Sequence, residues 1–104
     1  MKFSDIIESD TPVLIDFYAD WCEPCKWLEP ILDEMKLHFG EKIVFEKVNI
    51  DEQPELAASL HILSVPTLIL YKDDREIWRK RGFDIATKMI AEVENVVSHG
   101  DRGN

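Results

Sequence analysis

"DFYADWCEPCK", from Asp16 to Lys26, joins an apolar, strand-like segment to the only two cysteines of the chain. Cys22 and Cys25 are three positions apart, and side chains with that spacing on a helix approach closely enough to form a disulfide with little backbone movement. Cys22 stands at the predicted helix start, where free N–H groups and the helix dipole favour a thiolate. Cys25 belongs to the apolar face of the same helix. The stretch therefore predicts an accessible nucleophilic thiol beside a shielded thiol that resolves the reaction.

The cysteine pair could also serve a metal site or a structural crosslink. The CxxC pattern is half of a common zinc site, but the remaining ligands would have to come from His38, His61 and His99, which form no closely spaced pair. We therefore predict no metal site. A purely structural disulfide would contribute little to stability, because so short a loop removes little entropy from the unfolded chain.

The apolar pattern on either side of the cysteines predicts one strand and one long helix. Val13–Tyr18 is apolar on both pleat faces apart from Asp16, as is typical of a strand covered on both sides. From Cys22 to about His38 the apolar positions recur in steps of three and four, which predicts a helix with one buried face. Pro24 suits its first turn, whereas Pro30 lies inside it and predicts a kink.

Further helices and strands are predicted before and after this unit. Phe3–Ser9 reads as a short helix, Lys42–Ile50 as a strand, and the segment opened by Pro54 as another short helix. "TLILY" and "EIWRKR", joined by the turn "KDDR", predict an antiparallel hairpin. Asp84 can cap a last helix. The apolar face of that helix is predicted to comprise Ile85, Met89, Ile90, Val93, Val96 and Val97.

The order of these elements predicts an α/β fold in one domain over residues 1–104. A sheet that is parallel in its first pair of strands and antiparallel at the hairpin would lie between layers of helices. The length of 104 residues suits a single core. Residues 98–104, "SHGDRGN", have no apolar anchor and are expected to form a frayed tail.

Charge and hydropathy argue against nucleic-acid and membrane partners. The net charge of −9 is opposite to the clustered positive charge that binding a phosphate backbone requires. No apolar run approaches the ~20 residues that span a bilayer, and no secretory signal pattern follows Met1. We therefore expect a cytoplasmic protein.

Four separated motifs resemble the thioredoxin family. The opening segment looks like the family's active site, "KVNID" from Lys47 resembles the strand after its second helix, and "SVPTLILYKDD" from Ser64 is similar to its cis-proline strand and hairpin. Gly82 matches the glycine after the last strand. The resemblance runs from about Val13 to Val97. It implies a thioredoxin-like three-layer sandwich and a thiol–disulfide oxidoreductase that reduces protein disulfides without a bound cofactor.

The resemblance also implies roles for individual residues. Cys22 would attack and Cys25 would resolve, Asp16 would accept the Cys25 proton, and Lys47 would partner Asp16. Pro66 is expected to be cis, and the backbone of Val65 to pair with the substrate. The substrate-binding residues implied in this way are Trp21, Glu23, Pro24, Val65, Pro66 and Gly82. The implied partners are disulfide-containing protein substrates and a separate thioredoxin-reductase-like electron donor.

Three departures from the family pattern keep a second function open. Only twelve residues precede Val13, so the family's opening strand is expected to be absent, which leaves a four-stranded sheet with Lys42–Ile50 at its edge. Glu23 replaces the usual glycine and is expected to raise the pKa of Cys22. Arg81 lies where the family commonly has an apolar residue. A thioredoxin-fold protein-binding or assembly module with little redox activity is therefore the alternative.

Overall fold

In the part of the chain that the structure describes, four α-helices and four strands follow one another in the order that the sequence predicts. The structure, a computed structural model, describes residues 2–99. The elements are α1 (Phe3–Ile7), β1 (Val13–Tyr18), α2 (Glu23–Phe39), β2 (Val44–Asn49), α3 (Pro54–Ser59), β3 (Thr67–Lys72), β4 (Arg75–Arg81) and α4 (Ala86–His99). No helix in this part of the chain is long and apolar enough to cross a bilayer.

The strands form one mixed sheet in the order β2-β1-β3-β4. β1 pairs in parallel with β2 and antiparallel with β3, and β3 pairs antiparallel with β4. Within residues 2–99 the sheet has four strands, with β2 at one edge. The predicted mixed four-stranded sheet is thus confirmed.

Apolar side chains cover both faces of this sheet. On one face Leu28 and Met35 of α2 and Met89 of α4 pack in one cluster with sheet residues such as Leu14. On the other face Phe17 of β1 clusters with residues of α1 and α3. Because β1 is buried on both faces, its near-continuous apolar run is explained, and the predicted three-layer arrangement is confirmed.

The β3–β4 hairpin turns at Asp73 and Asp74, which have φ angles of 52° and 68°. A two-residue hairpin turn of this type needs left-handed backbone at both positions, and aspartate tolerates it better than most residues. The Asp73 amide donates to the Ser9 carbonyl at 2.8 Å and the Asp74 amide to the Ile7 carbonyl at 3.0 Å. The turn therefore also ties the hairpin tip to the end of α1.

Several predicted boundaries need correction. β2 begins at Val44 rather than Lys42, because Gly40–Lys42 forms a 3-10 turn after α2. α1 ends at Ile7 and not at Ser9. The predicted extent of α2 needs little change, because the helix runs from Glu23 to Phe39 with the exposed Pro30 inside it.

The C-terminal helix also differs from the prediction. Ile85 is 65% exposed and not part of the buried face, because α4 begins only at Ala86. Ser98 and His99, which the sequence assigns to a frayed tail, are the last residues of α4. The rest of the predicted tail, residues 100–104, lies outside the described residues.

Candidate active site

The two cysteines form a disulfide across the first turn of α2. Cys22 is the N-cap residue, and its Sγ accepts the Cys25 backbone N–H at 3.2 Å. The two Cα atoms are 5.3 Å apart. A sulfur that accepts a hydrogen bond from the free N–H groups of a helix start is stabilised when it becomes a thiolate. The two sulfurs therefore differ in hydrogen bonding as predicted: the Cys22 sulfur accepts a backbone N–H at the helix start.

The predicted difference in accessibility is wrong for the disulfide form. Cys22 is 3% exposed and Cys25 is 4% exposed, so both are buried. They pack in one small cluster with Ala19, and Val65 lies against it. The Val65 carbonyl oxygen is 3.6 Å from the Cys22 Sγ. Residues distant in sequence thus cover the sulfur that a position at a helix start would otherwise leave open.

Asp16 is a buried carboxyl group without a hydrogen-bonding partner. It is 3% exposed on β1, and neither of its oxygens finds a partner among residues 2–99. Burial raises the pKa of Asp16 to about 6, although the nearby Lys47 ammonium acts in the opposite direction. A buried, unpartnered carboxyl is costly and titrates within reach of neutral pH, which marks it as a candidate proton acceptor.

Lys47 lies opposite Asp16 in the parallel register of β1 and β2, but its ammonium pairs elsewhere. The Lys47 Nζ is 2.5 Å from Glu29 Oε2 and 4.4 Å from the centre of the Tyr18 ring. The predicted partnership of Lys47 with Asp16 is thus not a contact, and acts only through space on the Asp16 pKa. No sequence pattern indicates Glu29 as a site residue, because its position in space depends on how α2 packs against β1 and β2.

A cavity of about 180 Å³ opens beside Cys25. Its lining includes Tyr18, Cys25, Glu29 and Lys47. The volume is sufficient for several water molecules. The cavity therefore brings Cys25 and the Glu29–Lys47 pair together at one place that water can enter.

The predicted substrate-binding residues differ in exposure: Pro66 is buried, whereas Trp21 is exposed. Trp21 is 68% exposed, and its indole N–H donates to Asp51 at 2.8 Å. The Val65–Pro66 peptide bond is cis, as expected. The Gly82 amide donates to the Pro66 carbonyl at 2.7 Å, and the φ of 82° at Gly82 is one that glycine adopts without strain.

Two charged residues, Glu23 next to Cys22 and Arg81 next to Gly82, are exposed. Glu23 and Pro24 are exposed in the first turn of α2, and Glu23 pairs with Lys26 at 3.4 Å. Arg81 is exposed at the end of β4, opposite Thr67. Among residues 2–99 the Arg81 guanidinium makes no ion pair, in contrast to two other cations of β4. These are Arg79, which pairs with Glu76, and Lys80, which pairs with Glu92.

No arrangement of three or more metal-binding side chains occurs within residues 2–99. Cys22 and Cys25 are joined to each other, so neither offers a thiolate in this form.

Known proteins resemble this chain over most of its length. The model of the thioredoxin family matches residues 1–95. A thioredoxin of Alicyclobacillus acidocaldarius is 37% identical over 96 residues, covering 92% of this chain and 91% of that protein. A thioredoxin of Rickettsia felis is 44% identical over 86 residues, covering 83% and 82%.

Solved structures agree with this result. Mitochondrial thioredoxin 3 from Saccharomyces cerevisiae, in its oxidised form, superposes with a TM-score of 0.79 at 30% identity, covering 89% of this chain and 86% of that chain. A chain from a study of thiol resolution in yeast mitochondrial 1-Cys peroxiredoxin through glutathione and thioredoxin systems gives a TM-score of 0.80 at 29% identity, with the same coverage.

Proposed function

The chain belongs to the thioredoxin family and is a thiol–disulfide oxidoreductase that reduces protein disulfides, and we propose that Cys22 is its nucleophile and Cys25 its resolving thiol. The Cys22 thiolate attacks one sulfur of a substrate disulfide, which forms a mixed disulfide and releases the first substrate thiolate. The Cys25 thiolate then attacks the Cys22 sulfur and releases the second. Two electrons pass to the substrate, and the Cys22–Cys25 disulfide remains. The observation that carries this assignment is the Cys25 N–H donated to the Cys22 sulfur.

Asp16 takes the proton that Cys25 must lose before it can attack. With a pKa of about 6, this carboxyl is mostly ionised at neutral pH and still basic enough to accept a proton. Its oxygens are without partners among residues 2–99. Transfer through water is supported by the cavity that Cys25 lines together with Lys47, the register partner of Asp16. Lys47 influences this step through its charge rather than by contact.

The substrate chain docks across Val65 and Pro66. The half-buried Val65 has its carbonyl next to the Cys22 sulfur, which favours a short strand-like pairing between the Val65 backbone and the substrate. The exposed face of Trp21 would cover one side of the docked chain, and Gly82 leaves room for a close approach. Glu23 and Pro24, exposed beside Cys22, complete the surface.

The partners in this scheme are disulfide-containing proteins and a separate reductase that returns electrons to the Cys22–Cys25 disulfide. The net charge of −9 supports the exclusion of nucleic acid, and we place the protein in the cytoplasm, away from membranes. Both core clusters share one sheet, which supports a single domain over residues 1–104.

Trapping of mixed disulfides tests the division of roles. In Cys25→Ser the nucleophile remains but the resolving thiol is gone, so partner proteins from a lysate should stay linked to the variant until dithiothreitol is added. Cys22→Ser should capture few or none. Efficient trapping by Cys22→Ser and not by Cys25→Ser would reverse the assignment.

A further inference from the structure

Glu29 is a charged residue of the redox site that the reaction scheme above does not use. Its Oε2 pairs with the Lys47 ammonium, and both side chains line the cavity beside Cys25. Both are a little under half exposed, so the pair lies at the border between the cavity and solvent. The pair connects α2 to β2, the edge strand of the sheet.

Without Glu29, the Lys47 ammonium would have another anion within reach. Asp16 and Lys47 are register partners on parallel strands, which lie about 4.8 Å apart, and such partners point to the same face of the sheet. A lysine side chain is long and flexible enough to span that separation. The unpartnered Asp16 oxygens would then gain the hydrogen-bond donor that they lack among residues 2–99.

We propose that Glu29 is a positioning residue of the redox site, which holds the Lys47 ammonium at the exposed edge of the cavity and so leaves the Asp16 carboxyl without an ion-pair partner. The Tyr18 ring assists, because it offers its face to the same ammonium at 4.4 Å. Glu29 of α2 and Tyr18 of β1 thus compete with Asp16 for one cation.

This arrangement controls how basic Asp16 is. An ammonium in contact with a carboxylate stabilises the charged form and makes the group a poorer proton acceptor. The charged groups that act on Asp16 come from both packed elements: Lys47 from β2, and Glu29 and Lys36 from α2. By pairing with Lys47, Glu29 keeps Asp16 suited to accept a proton near neutral pH. This consequence rests on the proton-accepting role proposed above for Asp16.

The test is the titration of the Asp16 side-chain carboxyl, followed by its ¹³C chemical shift in the intact oxidised protein. In Glu29→Gln the Lys47 ammonium is released, and we expect the Asp16 midpoint to fall by about one pH unit. Glu34→Gln removes the same charge from an exposed position of α2 and should leave the midpoint in place. An unchanged midpoint in Glu29→Gln, or an equal fall in Glu34→Gln, overturns the proposal.

A second background separates positioning from the loss of one negative charge. In Lys47→Gln there is no ammonium to release, so adding Glu29→Gln should lower the Asp16 midpoint by less than half as much as it does in the wild type. Equal falls in the two backgrounds would mean that Glu29 acts by its own charge alone, and would also overturn the proposal.

The kinetic readout distinguishes this inference from the proposed function. The rate at which Cys25 resolves a preformed mixed disulfide at Cys22 is measured against pH in the wild type and in Glu29→Gln. A carboxyl midpoint that falls while the rate profile stays in place would leave the positioning role intact and remove the proton-accepting role of Asp16. A parallel fall of both supports the two together.

Discussion

The Cys22 sulfur accepts a hydrogen bond from the backbone N–H of Cys25, with 3.2 Å between sulfur and nitrogen. This contact couples the sulfur of the proposed nucleophile to the first turn of α2, where the helix dipole is strongest. Any charge added to that turn acts on the same sulfur. Glu23 is such a charge, and its carboxylate pairs with the exposed Lys26 ammonium at 3.4 Å.

Replacing Glu23 should therefore change the acidity of Cys22. In the reduced protein we expect Glu23→Gln to lower the pKa of Cys22 by about half a pH unit, because a negative charge near the thiolate is removed. The measurement is thiolate absorbance against pH. Glu23→Gly should show the same direction, and the effect should shrink in ~1 M salt, since Glu23 is exposed. An unchanged or higher midpoint in both variants would contradict the hypothesis.

Asp16 should make the stability of the protein depend on pH. Its folded-state pKa of about 6 lies above its ordinary value of 3.8, so the folded state binds the proton more tightly than the unfolded state does. This contribution to stability is fully present below pH ~4 and is lost as the pH rises through about 6. Its size is on the order of 3 kcal/mol.

Asp16→Asn removes that dependence and should be more stable than the wild type by up to about 3 kcal/mol at pH ~8, with little difference at pH ~4. Denaturant unfolding of the oxidised proteins at the two pH values is the measurement. Equal stabilities at the higher pH would show that Asp16 ionises without penalty.

Catalysis of disulfide reduction should depend wholly on Cys22. With dithiothreitol as the electron source, the wild-type protein should accelerate the reduction of insulin, and Cys22→Ser should fall to the rate of dithiothreitol alone. The control Trp27→Ala removes an exposed side chain of α2 that lies outside the proposed site. It should keep most of the wild-type rate. Wild-type protein no faster than dithiothreitol would favour the protein-binding module.

We expect Arg81 to select substrates by charge. Its guanidinium is exposed and without an ion pair in the described chain, and it precedes Gly82 of the proposed docking surface. For disulfide peptides with flanking glutamates, Arg81→Gln should slow reduction about two- to threefold, as expected for one exposed charge pair. Peptides with flanking glutamines should react as before.

The matched control is Arg75→Gln, which removes the same charge from the opposite end of β4. It should affect neither peptide. Equal losses on acidic and neutral peptides in Arg81→Gln would leave no selectivity to explain.

Local patterns were sufficient to predict most of the fold. The bounds of β1 follow from its continuous apolar run, because a strand buried on both faces has no polar position to interrupt it apart from Asp16. The hairpin follows from two β-rich runs separated by residues that tolerate a turn. The long helix follows from the spacing of Leu28, Leu32 and Met35. Each signal lies within a few residues of the element that it predicts.

What the sequence could not indicate depends on contacts between distant segments. Cys22 is buried partly by Val65, which is forty-three positions away in the sequence. The position of Cys22 at a helix start does not indicate that contact. The pairing of Lys47 with Glu29 depends on the register between β1 and β2 and on where α2 packs against the sheet. Ile85 fits the helical period, which predicts that it is buried. It is exposed, and α4 begins only at the next residue.

The register of the sheet separates the two ends of the molecule. β1 enters at Val13 opposite Tyr71, near the hairpin tip to which α1 is tied, and its far end at Phe17 lies opposite Thr67, beside Pro66. A dye or a surface linker attached at the exposed hairpin tip, on Asp73 or Asp74, would consequently start at the end of the sheet remote from Pro66. Protein immobilised in this way would turn the end of the sheet that carries Pro66 toward incoming substrates, as a redox-active coating requires.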